Sequence, residues 1–252
     1  MRQTIILVLI YFGYQLAASV LMAAWNLIFP TDIMMQMAWS LILSGIALVF
    51  HLIHFKHIDL GQALRHIPWK PLLYSIGCVI GTMLCSNALS ELANLPDWLK
   101  TQFTSMSQQL PGIISIAIMA PLVEELLFRG AILNHLRQQG FSPYKSILIS
   151  AVIFGLIHLN PAQMLFAFLM GIAFGWITWR TGSLIPAIIG HTVNNSLGVA
   201  EMIWAENDTL MVQETTPTSV LWSTVAFGII IALLMAKLLD KNLRQEENKT
   251  VN

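Results

Sequence analysis

Long apolar runs joined by short polar links dominate this chain and decide what it can fold into. Eight segments, near 4–29, 33–53, 71–90, 111–134, 144–160, 162–179, 183–204 and 218–239, are apolar over about the 20 residues a helix needs to cross a bilayer. Of 252 residues, 56% are hydrophobic and only 10% charged, so polar surface cannot cover a soluble globule of this size. The mean hydropathy of +0.69 agrees. The expected fold is an all-α, polytopic membrane protein of about eight transmembrane helices. A further amphipathic helix at the interface is expected over 55–70, where Lys56, His57, Asp59, Arg65 and His66 alternate with apolar residues. The first run follows Arg2 but is longer than a signal-peptide core, so it reads as a retained helix. The fifth and sixth runs are separated only by Asn160-Pro161 and predict a tight helical hairpin.

Charge sets the orientation. The formal net charge is zero, which gives no reason to expect a nucleic-acid partner. With the amino terminus inside, Lys100 alone of the 13 Lys and Arg residues falls on the outer side. That asymmetry predicts both termini in the cytoplasm, in a bacterial inner or cell membrane. The acidic stretch carrying Glu201, Glu206, Asp208 and Glu214 then falls outside, as does a loop opened by Pro96-Asp97 and running to Gln109. No internal repeat is visible, so residues 1–240 read as a single helical domain and 241–252 as a polar cytoplasmic tail expected to fray. Gly77 with Gly81 and Gly171 with Gly175 put small residues on one helix face, expected to serve packing within the bundle. Cys78 and Cys85 are about 10 Å apart along one helix, too far for a disulfide.

One stretch breaks the apolar pattern. Pro121-Leu-Val-Glu-Glu-Leu-Leu-Phe-Arg129 places two adjacent carboxylates and a guanidinium inside the fourth run. Each costs about 2.5 to 3.5 kcal/mol at the centre of a membrane helix, so such groups mark function by default. Two later runs carry further polar groups: Phe154-Gly-Leu-Ile-His158 ends the fifth, and His191-Thr-Val-Asn-Asn195 lies in the seventh. Glu125 and Arg129 are four apart and share a helix face, where each neutralises the other; Glu124 points about 100° away. His191 and Asn195 are also four apart and face one side. Counted at about 1.5 Å per residue, the acids and imidazoles fall at similar membrane depths.

These parts suit hydrolysis. A carboxylate in a low-dielectric pocket makes a general base that takes a proton from water and returns it to a leaving amine. Imidazoles beside it can position the water, stabilise an oxyanion or hold a metal, and a carboxamide can donate to the oxyanion. No serine or cysteine sits in a nucleophile motif, which disfavours an acyl-enzyme route.

In this order, Glu124-Glu125-x-x-x-Arg129, Phe154-x-x-x-His158 and His191-x-x-x-Asn195 resemble the three motifs of the CPBP family of intramembrane proteases. That family includes the Ras-converting type II CAAX prenyl endopeptidases and the bacterial lysostaphin-resistance and bacteriocin-immunity proteins. The resemblance implies that Glu124 activates water, that His158 helps place it, and that His191 and Asn195 form the oxyanion-stabilising side. Glu125 and Arg129 would orient the site and Phe154 would shape it by packing. The implied partner is a membrane-associated peptide or protein substrate within the lipid bilayer. The family is often labelled metal-dependent, yet the resemblance also allows a metal-free, glutamate-activated water. A divalent metal such as Zn²⁺ could be held by Glu124, His158 and His191, but the His-Glu-x-x-His motif of soluble zinc proteases is absent. The expectation is therefore no tightly bound metal.

Plainer readings compete at each position. The acids and Arg129 could be a structural ion-pair network, His158 an interfacial residue, and His191 with Asn195 hydrogen-bond glue between helices. His51, His54, His57 and His66 cluster near the interfacial segment without a second set of ligands, and no metal is assigned to them. A non-catalytic immunity or scaffold protein, and a proton-coupled carrier, are the rival functions.

Overall fold

The structure, a computed structural model, describes residues 1–207 and 216–251. Helices follow in the order α1 (Arg2–Asn26), α2 (Ile33–His54), α3 (Leu60–Ala63), α4 (Trp69–Ala93) and α5 (Lys100–Ser107), then α6 (Leu110–Gln138). They continue with α7 (Pro143–Leu156), α8 (Pro161–Thr181), α9 (Ile185–Asn207) and α10 (Thr218–Val251). The protein is an all-α polytopic membrane protein. Among the described residues, six helices are long and apolar enough to cross a membrane, and α7 is a shorter apolar helix. α9 is also long, but His191, Asn194 and Asn195 dilute its apolar content. Leu9, Leu16 and Val20 of α1 are each more than 60% exposed, as lipid-facing side chains are.

Three segments differ from the sequence expectation. Over 55–70 the amphipathic helix shrinks to the single turn α3, because Lys56 takes a left-handed φ of 55° and Pro68 closes the other end. Arg65 is instead drawn to the Thr181 carbonyl at 2.9 Å, while Ser183 Oγ donates to the Arg65 carbonyl at 2.7 Å. The loop expected through Gln109 contains α5. The tail expected to fray continues α10 as helix to Val251, with Asp240 paired to both Arg180 and Arg244. Of the acidic stretch, Asp208 and Glu214 lie outside the described residues.

The helices gather into two compact units. The first holds α1, α2, α5, α6 and α9 from His191 onward. Here α2 packs on α6 at Gly45, where a Cβ would stand 2.9 Å from Val123 Cγ2; the missing side chain lets the helices close next to the acid pair. Asp32 caps α2 by accepting from the Met34 and Met35 amides at 2.8 and 3.2 Å. It also receives Gln109 Nε2 at 3.2 Å, tying this end to the start of α6.

The second unit holds α3, α4, α7, α8, the opening residues of α9, and α10. Its core is apolar, with Cys78, Val79, Met170, Phe174, Ile177 and Ala187 buried together. α4 and α10 cross almost backbone to backbone: a Cβ on Gly81 would lie 2.5 Å from Ala232 N and 2.7 Å from Gly228 O. Gly77 faces Met235 on the same helix, so this small-residue pair packs within the unit.

Candidate active site

α6 departs from regular α geometry on both sides of its acids. Ser115–Met119 and Leu126–Leu133 are π-helical, with the α-helical Ala120–Glu125 between them. Such wide turns recur at functional sites. The cause of one irregularity is readable in atoms. The Ala120 N–H reaches back five residues to the Ser115 carbonyl. The next bond of that ladder would run from residue 121 to the Ile116 carbonyl, but Pro121 has no N–H to give. The orphaned Ile116 carbonyl accepts instead from Asn195 Nδ2 at 2.9 Å. Asn195 Oδ1 in turn accepts from Asn194 Nδ2 at 3.0 Å. The carboxamide of α9 is thus locked against α6 by one N–H and keeps its second N–H for another acceptor.

Both acids are buried, Glu124 at 9% exposure and Glu125 at 0%, as are Arg129 at 0% and His191 at 6%. Arg129 Nη1 donates to Glu125 Oε1 at 2.9 Å. The same oxygen lies 2.9 Å from His191 Nδ1, while His191 Nε2 is 3.8 Å from Glu124 Oε2. The two carboxylates do leave the helix in different directions, yet one imidazole, whose nitrogens also diverge, addresses both. A carboxylate can only accept, so the hydrogen of that short bond belongs to His191 Nδ1, and Nε2 faces Glu124. Glu125 and Arg129 therefore orient the ring that stands next to Glu124.

Phe154 and His158 belong to the second unit, and their motif is closed on itself. His158 Nδ1 is 2.7 Å from the Phe154 carbonyl, which only accepts, so Nδ1 carries the hydrogen and a neutral ring presents Nε2 as acceptor. The Phe154 ring, 1% exposed, supports the imidazole edge-on with centroids 5.0 Å apart. Immediately after it Leu159 has φ 52°, a conformation that costs a non-glycine residue about 1–2 kcal/mol.

Among the described residues no group of three or more His, Cys, Asp or Glu could hold an ion. The Nδ1 atoms of His191 and His158 are engaged with oxygen acceptors, which leaves Nε2 of each ring as the nitrogen open to a further partner, a metal ion included. The histidines at the end of α2 form a ring stack, His51 on His57 at 5.6 Å, with His51 Nδ1 3.2 Å from the Tyr14 hydroxyl.

Sequence reasoning missed three participants. Tyr11 of α1 lies within electrostatic reach of Glu124 and bonds to Gln15, and no local pattern flags it. The Ile116 carbonyl was detectable, since Pro121 inside an apolar helix announces an acceptor without its donor. The third is Asn160, fully buried in the turn after His158.

Comparison with known proteins agrees with the motifs. Residues 106–197 match the family described as "Type II CAAX prenyl endopeptidase Rce1-like". A Bacillus subtilis protein named "Putative membrane peptidase YdiL" is 32% identical over 87 residues, 34% of this chain and 35% of that one. "Probable CAAX prenyl protease 2" of Schizosaccharomyces pombe is 24% identical over 149 residues, 51% of this chain and 53% of its own length. The chain thus spans about half or less of the curated relatives it matches. No solved structure matches it.

Proposed function

We infer that a chain whose acid-bearing region is similar to type II CAAX prenyl endopeptidases is itself an intramembrane endopeptidase, with Glu124 as the base that activates water. One observation supports this above the others: an imidazole fixed at Nδ1 by Glu125 directs Nε2 to within 3.8 Å of a second buried carboxylate. A purely structural ion pair needs only Glu125 and Arg129. It leaves Glu124 and its burial without a purpose.

In the proposed reaction Glu124 takes a proton from water as the oxygen attacks the carbonyl carbon of the scissile amide. The carbonyl π electrons move to oxygen. His191, held at Nδ1 by Glu125, is assigned as one donor to that oxyanion through Nε2. The second N–H of Asn195 is the other donor. When the tetrahedral intermediate collapses, the C–N bond breaks and protonated Glu124 returns its proton to the leaving amine. The carbonyl re-forms, and the products are one carboxylic acid, which ionises in water, and one amine, which takes up a proton there. His158 is assigned to water placement by its motif, with Nε2 as the accepting atom.

The substrate is a membrane-anchored peptide or protein cleaved beside an apolar segment, and carboxyl-terminal CAAX processing is the variant that the yeast relative's name supports. The distribution of Lys and Arg supports an orientation with both termini in the cytoplasm. The test is mass spectrometry of membrane peptides from cells carrying wild-type protein or Glu124→Gln, with the variant shown to be folded. General-base catalysis contributes about 10²–10⁴-fold, so one or more wild-type cleavage products should disappear. An unchanged peptide profile would favour the scaffold instead.

A further inference from the structure

The turn that carries His158 is held from outside its own helix hairpin. Asn160, 0% exposed, donates from Nδ2 to Asp97 Oδ1 at 2.7 Å and accepts at Oδ1 from the Trp98 amide at 3.1 Å. Two residues on, the Ala162 amide donates to the Pro96 carbonyl at 3.3 Å. The stretch Pro96–Trp98 is thereby bonded to the first turn of α8. Between His158 and Asn160, Leu159 takes its left-handed φ of 52° while remaining 66% exposed. An exposed leucine gains nothing from that conformation, so its neighbours impose it. On one side the His158 ring is tied to Phe154; on the other, Asn160 is tied to Asp97. A carboxamide can donate to a carboxylate and accept from an amide at once, whereas aspartate at this position could only accept.

We propose that Asn160, latched by Asp97, is a positioning residue that holds the His158 imidazole in its working orientation. This rests on the reading that the chain hydrolyses peptide bonds and uses His158. An ordinary loop anchor would affect stability alone. A positioning residue affects turnover and the state of the His158 ring.

The experiment uses the full chain in bicelles with a synthetic prenylated CAAX peptide as probe. Glu124→Gln and His158→Ala serve as references beside Asn160→Ala, Asn160→Asp, Asp97→Asn and the double variant Asn160→Asp with Asp97→Asn. Turnover, KM, thermal midpoint and the nitrogen NMR spectrum of histidine-labelled protein are read for each. Asn160→Ala and Asn160→Asp should lower kcat about tenfold or more with KM within about twofold, as a misplaced group does. Asp97→Asn keeps an acceptor for Asn160 and should retain most of the wild-type rate. The double variant should recover over Asn160→Asp, because Asn at 97 can then donate to Asp at 160. In Asn160→Ala the His158 signals should lose the fixed Nδ1–H pattern.

Wild-type kcat in Asn160→Ala, with His158→Ala inactive, would overturn the latch and leave the hydrolase reading intact. So would kcat and thermal midpoint falling together while the His158 signals stay unchanged. Full activity in Glu124→Gln would remove the hydrolase reading. If the wild-type protein leaves the probe uncut, the NMR comparison alone decides whether Asn160 fixes His158.

Discussion

The acid cluster of α6 and α9 and the crossing of α4 with α10 bring helices together by opposite means. At the crossing, Gly81 and Gly228 remove side chains until backbones touch, and a Cβ on Gly228 would stand 2.6 Å from Gly81 O. Around the acids, charged side chains are kept, buried, and paired with one another. The crossing gains dispersion contacts from the close approach of small residues. The cluster accepts a desolvation cost that only mutual neutralisation offsets. Glycine at a helix contact thus reads as architecture, whereas buried charges paired with one another mark the candidate site.

The sharpest way to break this contrast is to unbalance the charges. Arg129→Ala leaves Glu125 with no guanidinium at 0% exposure, and removal of one partner of a buried pair costs about 3–5 kcal/mol. Unfolding in mixed micelles should show a loss of that order. Glu125→Gln added to Arg129→Met should recover most of it, because Gln still accepts from His191. If Arg129→Ala unfolds like wild type, the cluster is not self-neutralising and its resemblance to a prepared site fails.

A methyl group tests the other side of the comparison. Gly228→Ala places Cβ against the Gly81 carbonyl and, at 2.7 Å, the Cys85 amide, both backbone atoms that cannot move aside singly. Overpacking of this kind costs about 1–3 kcal/mol. Gly198→Ala, in the acid-bearing unit, meets nothing within 4 Å and should gain up to about 1 kcal/mol from helix propensity. Equal effects at the two positions, read by the same unfolding assay, would erase the architectural distinction.

Asn195 belongs to both sides, since it serves the cluster by repairing backbone. Asn195→Ala removes the donor to the Ile116 carbonyl and should cost about 1 kcal/mol. Pro121→Ala supplies an N–H that can reach the same carbonyl, so the cost of Asn195→Ala should shrink in that background. A double-mutant cycle measures the difference. Additive effects would mean that Pro121 does not orphan the carbonyl.

Much of this was legible along the chain, and what was not has physical causes. Apolar length alone located the eight main helices, six of them long and apolar enough to cross a membrane among the described residues, since a bilayer imposes one length scale on a span. The face shared by Glu125 and Arg129 followed from helical spacing. That His191 serves both acids did not, because the angle between neighbouring residues says nothing about a ring arriving from another helix. The amphipathic pattern at 55–70 suggested helix, yet Arg65 is claimed by a carbonyl 116 positions away, a contact no local window contains. α5 escaped notice for the opposite reason: Lys100, Thr101, Gln102, Thr104 and Ser105 dilute any apolar period. Asn160 looked like a turn residue before Pro161. Only its burial reveals the bonds to Asp97 and Trp98.

The smallest expected effect comes from an acid outside the cluster. Asp32 is exposed, and Gln109's amide, followed by the Met35 and Met34 amides, holds its carboxyl below the ordinary aspartate value. A carboxylate whose folded pKa is depressed stabilises the fold at pH above its unfolded value. That contribution is lost as pH falls through the lower, folded value. Protection of the Met34 and Met35 amides from hydrogen exchange should therefore decline in the acid range below the ordinary aspartate value, while the buried helices around Glu125 stay protected. Asp32→Asn caps a helix about as well but does not titrate, so protection should be similar at neutral pH and flat on acidification. If wild-type protection at Met34 is equally flat, the capping carboxylate contributes nothing. If instead acidification releases α6 together with the start of α2, the exposed and buried acids are coupled and the cluster is less self-contained than its hydrogen bonds suggest.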